Sequence, residues 1–183
     1  RLRAQHAGSR LVWVAGSTHA GEEEIVLDVQ RSLATGGRRP LLVLVPRHPA
    51  RFADVAAMLQ RRGVRFVRRS SGAACTEETE VLLVDTLGEL VSFYAACDVA
   101  FVGGSLVPIG GHNLLEPAAL GLPVLAGPNN FNSADIARLL VECGAVRIVR
   151  GAQVLATLAE GQVFGEMSLL DAEPRTATVT AER

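Results

Sequence analysis

At 183 residues, 49% hydrophobic and 20% charged, the chain is long enough for one globular domain, or one domain and a piece of another, and too apolar for a disordered segment. A net charge of -1 gives no reason to expect a polyanion across the surface, so nucleic acid is set aside as a partner. Cys75, Cys97 and Cys143 are odd in number, widely spaced and without a CxxC pair, pointing to neither a disulfide framework nor a zinc site and fitting a reducing compartment.

No apolar run approaches the roughly 20 residues of a membrane helix, and the opening RLRAQHAGSR is not followed by the apolar region of a signal peptide. The chain is therefore expected to be soluble. It begins on Arg rather than Met, which leaves room for a portion upstream.

Continuous apolar runs recur along the chain at Leu11 to Ala15, Leu41 to Val45, Val81 to Val84, Val99 to Val102 and Pro123 to Ala126. Such runs are the pattern of parallel strands covered on both faces. Between and after them Glu22 to Leu33, Ala50 to Arg61, Leu87 to Ala96, Asn113 to Leu120 and Ser133 to Cys143 carry apolar residues at helical spacing. Gly63 to Val67 is a more polar strand candidate, expected near an edge. The alternation predicts an α/β domain with a Rossmann-like, doubly wound parallel sheet. Such sheets take ligands at the carboxyl ends of their strands, which directs attention to the loops found there.

The first of these loops, Gly16-Ser17-Thr18-His19, has neither the GxGxxG nor the GxxxxGK[ST] pattern. Glu22, Glu23 and Glu24 follow at the helix start, complement its dipole, and are expected to form a solvated first turn. Ser17 and Thr18 remain as caps or as hydroxyl donors to a ligand. In the second loop the prolines of Pro46-Arg47-His48-Pro49 restrict the backbone and hold Arg47 out of a continuing helix. From that mount Arg47 can grip a phosphate, with His48 as a second donor, or else merely pair with a surface carboxylate.

The stretch GGSLVPIGGHNLLEP, residues 103 to 117, is the most unusual. Gly103, Gly104, Gly110 and Gly111 permit a left-handed backbone and close approach to a ligand, with Ser105 and His112 in the same loop. The helix that follows aims its free amides at the same space, which suits an anion. Asn113 and Glu116 have capping-box spacing, so they either cap that helix or, in the case of Glu116, accept hydrogen bonds from ribose hydroxyls.

Taken in order, Ser17-Thr18-His19 with Gly21-Glu22-Glu23, Pro46-Arg47-His48-Pro49 with Arg51-Phe52, Asp85-Thr86-Leu87-Gly88-Glu89-Leu90, and GGSLVPIGGHNLLEP with Pro123-Val124-Leu125 and Gly127-Pro128 closely resemble the carboxyl-terminal half of bacterial 3-deoxy-D-manno-octulosonic acid (Kdo) transferases. The resemblance covers about residues 1 to 149. It implies the carboxyl-terminal half of a GT-B glycosyltransferase that moves Kdo from CMP-Kdo to a lipid A precursor in lipopolysaccharide biosynthesis, without a cofactor or metal. By the resemblance Arg47 and His48 line the nucleotide phosphate and base, the loop from Gly103 to Gly111 meets phosphate or sugar, and Asn113 with Glu116 fixes the ribose. The family's amino-terminal domain, with its acceptor site, membrane contact and general base, is not in this chain, so these residues alone are expected to be inactive. The full-length family implies the cytoplasmic side of the bacterial inner membrane.

From Gly151 the likeness changes. Phe164-Gly165-Glu166, Leu169-Leu170 and Arg175-Thr176-Ala177-Thr178-Val179 resemble the phosphate-binding cassette of cyclic-nucleotide-binding domains. That resemblance implies Glu166 on a ribose hydroxyl and Arg175 on a cyclic phosphate. Only some 30 residues are present, too few for the family's β-roll. The chain is therefore divided into a donor-binding domain, residues 1–150, and a short β-rich, truncated segment, residues 151–183. A non-catalytic nucleotide-binding or cyclic-nucleotide-sensing protein is the alternative reading.

Overall fold

The computed structural model describes residues 2–35 and 39–149. Seven strands form one sheet: β1 (Val12–Thr18), β2 (Leu41–Pro46), β3 (Phe66–Arg68), β4 (Val81–Leu83), β5 (Val99–Val102), β6 (Val124–Ala126) and β7 (Val146–Ile148). Their order is β3-β4-β2-β1-β5-β6-β7, and every pairing is parallel. The helices are α1 (Leu2–His6), α2 (Glu22–Thr35), α3 (Phe52–Arg61), α4 (Leu90–Tyr94), α5 (Leu115–Ala119) and α6 (Ala134–Glu142).

The continuous Val/Leu runs become strands because both sheet faces are covered. Trp13, Ala15, Leu42 and Leu44 face one way and pack with Val26, Leu27 and Val29 of α2 and Val55 and Leu59 of α3. Val12, Val14, Val43 and Val45 face the other way, against Phe93 and Tyr94 of α4. A third cluster joins Val102, Val124 and Val146 to Leu114 and to Ala137 of α6. Alternate side chains of one strand thus feed separate cores. The polar edge of Trp13 is met inside: its Nε1 donates to Gln30 Oε1 at 2.7 Å, and Gln30 Nε2 donates to the Pro40 carbonyl.

The five apolar runs all form strands, and the polar candidate at Gly63 to Val67 contributes β3, at a sheet edge as expected. The expected helices at Leu87 to Ala96 and Asn113 to Leu120 are present but short, at five residues each. The element α1 and the strand β7 had no counterpart in the sequence reading. The proposed short β-rich tail falls in residues 150–183, outside the described residues.

Glu22 and Glu23 are not a solvated turn; both are fully buried. A carboxylate leaves water only when its oxygens are matched by donors, and each of these has such a set.

The chain builds outward from β1 to β2 on one side, and later crosses to β5 on the other. The strand order therefore reverses at β1, and a crevice opens beyond its carboxyl end.

Candidate functional site

That crevice holds a cleft of about 330 Å³. Its floor and walls come from three strand ends and two short helices. Ser17 ends β1, Arg47 follows β2, Val102 ends β5, and His112, Asn113 and Glu116 come from the loop and helix after it. Gly88 with Leu90, Val91 and Tyr94 of α4 forms the apolar side. Of the sequence candidates, the structure gathers Ser17, Arg47, His112, Asn113 and Glu116 around one space.

Ser17 reaches the cleft by a backbone irregularity. The β1–β2 register shifts between Gly16 and Thr18, and Ser17 has φ of 56°, the left-handed region that non-glycine residues rarely enter. The extra residue turns the strand end, and the chain closes again where Arg47 N donates to the Thr18 carbonyl at 2.9 Å. Arg47 is exposed. No carboxylate pairs with its guanidinium among the described residues, so the surface ion pair considered for it is not formed.

Neighbouring candidates lie behind the cleft wall. Thr18 is fully buried, and its hydroxyl donates to Glu23 Oε1 at 3.2 Å. Glu23 also accepts from Arg51 at 3.0 Å, while burial pushes its carboxyl above the usual carboxylate range. Ser105 is fully buried too; its hydroxyl donates to the Val102 carbonyl and accepts from Gly127 N at 2.8 Å. Thr18, offered as a cap or as a ligand donor, and Ser105, expected in the ligand-facing loop, thus spend their hydroxyls within the fold and not on the cleft.

The glycine loop is likewise filled by the chain itself. Glu22 Oε2 accepts from the amides of His19 at 2.9 Å and Gly104 at 2.8 Å, while Oε1 accepts from Ser105 at 3.0 Å and Leu106 at 2.9 Å. The backbone cradle expected to receive an anion does receive one, a side chain of α2. Gly103 permits this contact, since a Cβ there would stand 2.5 Å from the Ser17 carbonyl oxygen and 2.9 Å from Glu22 Oε2. Gly104, with φ of 68°, leaves room for the His112 ring, which a Cβ would meet at 2.9 Å. Gly110 and Gly111, both at positive φ, pack on the side chains of Asn132 and Asn130. These four glycines shape the loop without lining the cleft.

The capping box at Asn113 and Glu116 is not formed. Leu114 occupies the cap position of α5 without a side-chain cap bond, and Asn113 instead accepts from Leu115 N at 3.0 Å while donating to Glu116 Oε1 at 3.1 Å. The second Glu116 oxygen has no partner among the described residues and belongs to a group that lines the cleft.

His48 is exposed and does not line the cleft; its ring meets that of His19 edge-on at 5.3 Å. The loop bearing Gly88 is fixed from below: Asp85 accepts from the amide and hydroxyl of Ser70, and Glu89 accepts from Thr86 and Arg69. Paired with Arg69, the Glu89 carboxyl is held below the usual range. Leu90, Val91 and Tyr94 were not anticipated in the site, because in sequence they look like the ordinary apolar face of a helix. Glu166 and Arg175 lie outside the described residues.

A parallel sheet whose order reverses at β1, with a polar cleft beyond that reversal, defines a Rossmann-like half of the GT-B kind. The 3-deoxy-D-manno-octulosonic acid transferase of Haemophilus influenzae is 48% identical over 145 residues, covering 79% of this chain and 34% of that protein. That of Bordetella pertussis is 43% identical over 153 residues, covering 79% and 36%. A crystal structure of the C-terminal CMP-Kdo binding domain of WaaA from Acinetobacter baumannii superposes with a TM-score of 0.78 at 40% identity, covering 83% of this chain and 80% of that one. The chain belongs to the 3-deoxy-D-manno-octulosonic acid transferase family, and it spans about a third of the length of these curated relatives.

A second likeness lies at the other end. The cyclic nucleotide-binding domain family matches residues 133–183. Within that span, residues 133–149 fold as α6 and β7 of the parallel sheet, with the turn before α6. The match therefore begins well before Gly151, where the sequence reading placed the division.

Proposed function

We propose that this domain binds the CMP portion of CMP-Kdo, as the donor half of a glycosyltransferase that passes Kdo to a lipid A precursor. The observation that carries the reading is Arg47, a guanidinium without a carboxylate partner among the described residues, on the same cleft as Glu116 and Asn113. Arg47 takes the phosphate in a charge-assisted pair. Glu116, with an oxygen to spare, and Asn113 take the ribose hydroxyls. Ser17 and His112 supply further polar contacts, while Leu90, Val91 and Tyr94 form an apolar bed for the ring. His48 supports the site from behind His19, and the four loop glycines hold its shape.

The acceptor site and the general base belong to an amino-terminal domain of the full-length family, working at the cytoplasmic face of the inner membrane. Among the described residues no helix is long and apolar enough to cross a membrane. In this reading residues 1–150 are the donor-binding unit and residues 151–183 a truncated cyclic-nucleotide-binding-like segment.

The match over residues 133–183 favours a second reading, a nucleotide sensor in which Glu166 and Arg175 hold a cyclic phosphate. Calorimetric titration with CMP and with cyclic AMP separates the two. Saturable CMP binding that is weakened in Arg47→Ala supports the donor half; binding of cyclic AMP that is lost in Arg175→Ala, with no response to CMP, overturns it.

A further inference from the structure

Three of the chain's four histidines converge at the rim of the cleft from three different loops: His19 after β1, His48 after β2 and His112 after β5. His19 and His112 are 93 positions apart, and their Nε2 atoms approach to 2.7 Å. The ring planes differ by 10° and the centroids lie 5.0 Å apart. The centroid separation exceeds the nitrogen separation by what two ring radii amount to, so the rings lie end to end in nearly one plane. That is the geometry of an in-line N–H···N bond, with one ring donor and the other acceptor.

Both rings are held in place. The His19 amide donates to the buried Glu22 carboxylate and its carbonyl accepts from Glu22 N at 3.0 Å. The His112 ring lies over Gly104, where no Cβ intervenes. Among the described residues no three His, Cys, Asp or Glu side chains are placed to hold a metal, so a metal does not account for the cluster.

We propose that His19 and His112 act as one proton-accepting unit that links capture of a phosphodiester anion in the cleft to uptake of a proton, His112 touching the ligand and His19 positioning it. This rests on the reading of the cleft as a nucleotide-sugar site. In the empty cleft the pair is neutral: one ring carries its hydrogen on Nε2 and donates, the other carries its hydrogen on Nδ1 and accepts. When the anion arrives, a proton from solvent adds to the bare Nδ1 of the donor ring. One N–H bond forms on the ring, one bond to hydrogen breaks in the hydronium or buffer acid that supplies the proton, and the shared Nε2–H···Nε2 bond persists with a positive charge beside the ligand.

The charges facing the pair favour this direction. Burial holds both imidazoles below their ordinary pKa, and each cation disfavours the other; Arg47 and His48 also face both rings and lower them, and Arg51 lowers His19. Glu22 alone opposes, and its carboxylate is spread over four amides. A bound anion adds the missing negative charge.

The test uses the full chain and the methyl phosphodiester of CMP, which has no group titrating between about pH 6 and 8.5, where an imidazole does. Calorimetry in two buffers of different ionisation enthalpy should show uptake of part of one proton. The dissociation constant should weaken as pH rises, by at most about tenfold per pH unit for one linked proton. His19→Gln should flatten this slope to less than about twofold per unit, a change that lost packing alone would not produce. Binding without proton uptake, or an unchanged slope in His19→Gln, overturns the proposal. Should the cytidine ligand not bind, the reading of the cleft fails separately, and ring-proton NMR with sulfate still decides. Two coupled titration steps that sulfate raises uphold the pair; two independent steps, or no response to sulfate, overturn it.

Discussion

Glu22 and Gly104 stand 82 positions apart and are joined by a 2.8 Å hydrogen bond from the Gly104 amide to the Glu22 carboxylate. With His19, Ser105 and Leu106 the same carboxylate receives four amides and ties the start of α2 to the loop after β5. Glu22→Gln keeps the shape but turns an NH2 group toward amides that need an acceptor. A buried donor left without a partner costs about 1–3 kcal/mol. The variant should therefore lose on the order of 2–4 kcal/mol in urea unfolding. A loss under about 0.5 kcal/mol, the range for surface substitutions, would show that the carboxylate is not what holds the loop.

Arg47 is expected to contribute to ligand binding and little to the fold. Arg47→Ala should weaken CMP binding by about 1.5–3 kcal/mol, the range for a hydrogen bond to a charged group, while unfolding free energy changes by no more than about 0.5 kcal/mol. Arg47→Lys should recover only part of the affinity, because an ammonium cannot reproduce the planar fork. An unchanged dissociation constant with the fold intact would remove Arg47 from the site.

Glu116 caps nothing, so its value is expected in binding. Glu116→Gln retains one carbonyl oxygen for the bond with Asn113 but loses the second acceptor. Melting temperature should hold while CMP affinity drops by about tenfold, equivalent to 1.4 kcal/mol. A lower melting temperature with affinity preserved would assign Glu116 to the helix instead.

Gly16 sits against the apolar wall of the cleft. A Cβ there would collide with the Tyr94 hydroxyl and come within 3.0 Å of Leu90 Cδ1. Tyr94 is fully buried and cannot retreat without disturbing α4. Gly16→Ala should cost about 1–3 kcal/mol, as overpacking does. Part of that loss should return in a Tyr94→Phe background, where the colliding oxygen is gone; an additive double-mutant cycle would mean that the two positions do not touch.

Acid should destabilise the domain through its histidines. His6, His19 and His112 all have pKa values lowered by burial, and both ring nitrogens of His6 are buried without partners among the described residues. The unfolded chain therefore binds more protons than the folded one, and stability present above about pH 6.5, the ordinary imidazole value, is lost as pH falls through the folded values. Glu23 works in the opposite sense nearer 4.5, its carboxyl being raised by burial. Urea unfolding at pH 7.5 and 5.5 should show lower stability at the acid end, and His6→Leu should shallow the difference. A flat profile between those values would mean the imidazoles titrate normally.

The sheet was legible because Leu41 to Val45 and Val99 to Val102 are unbroken apolar runs, and burial on two faces leaves no other pattern. Val146–Ile148 escaped because it is three residues long with Arg147 at its centre, and only its place beside β6 makes it a strand. Arg47 was legible from the prolines around it, a local signal. Glu22 was misread because the helix dipole already gave three acidic residues a reason to be there, and the amides that bury it arrive from residues 104 to 106. The His19–His112 bond has no local signal at all. Thr18 and Ser105 were placed on the ligand side although each spends its hydroxyl locally, on Glu23 and on the Val102 carbonyl; only the Gly127 amide that reaches Ser105 comes from afar.

The placement of β1 between β2 and β5 also fixes a gauge. Arg47 follows one flanking strand and Val102 ends the other, so the ends of β2 and β5 are two strand spacings apart, ~9.5 Å at about 4.7–4.9 Å each. Backbone hydrogen bonds on both sides of β1 hold that span, and it cannot widen without breaking the middle of the sheet. The breadth of the cleft's base is thus set by the sheet before any side chain takes part.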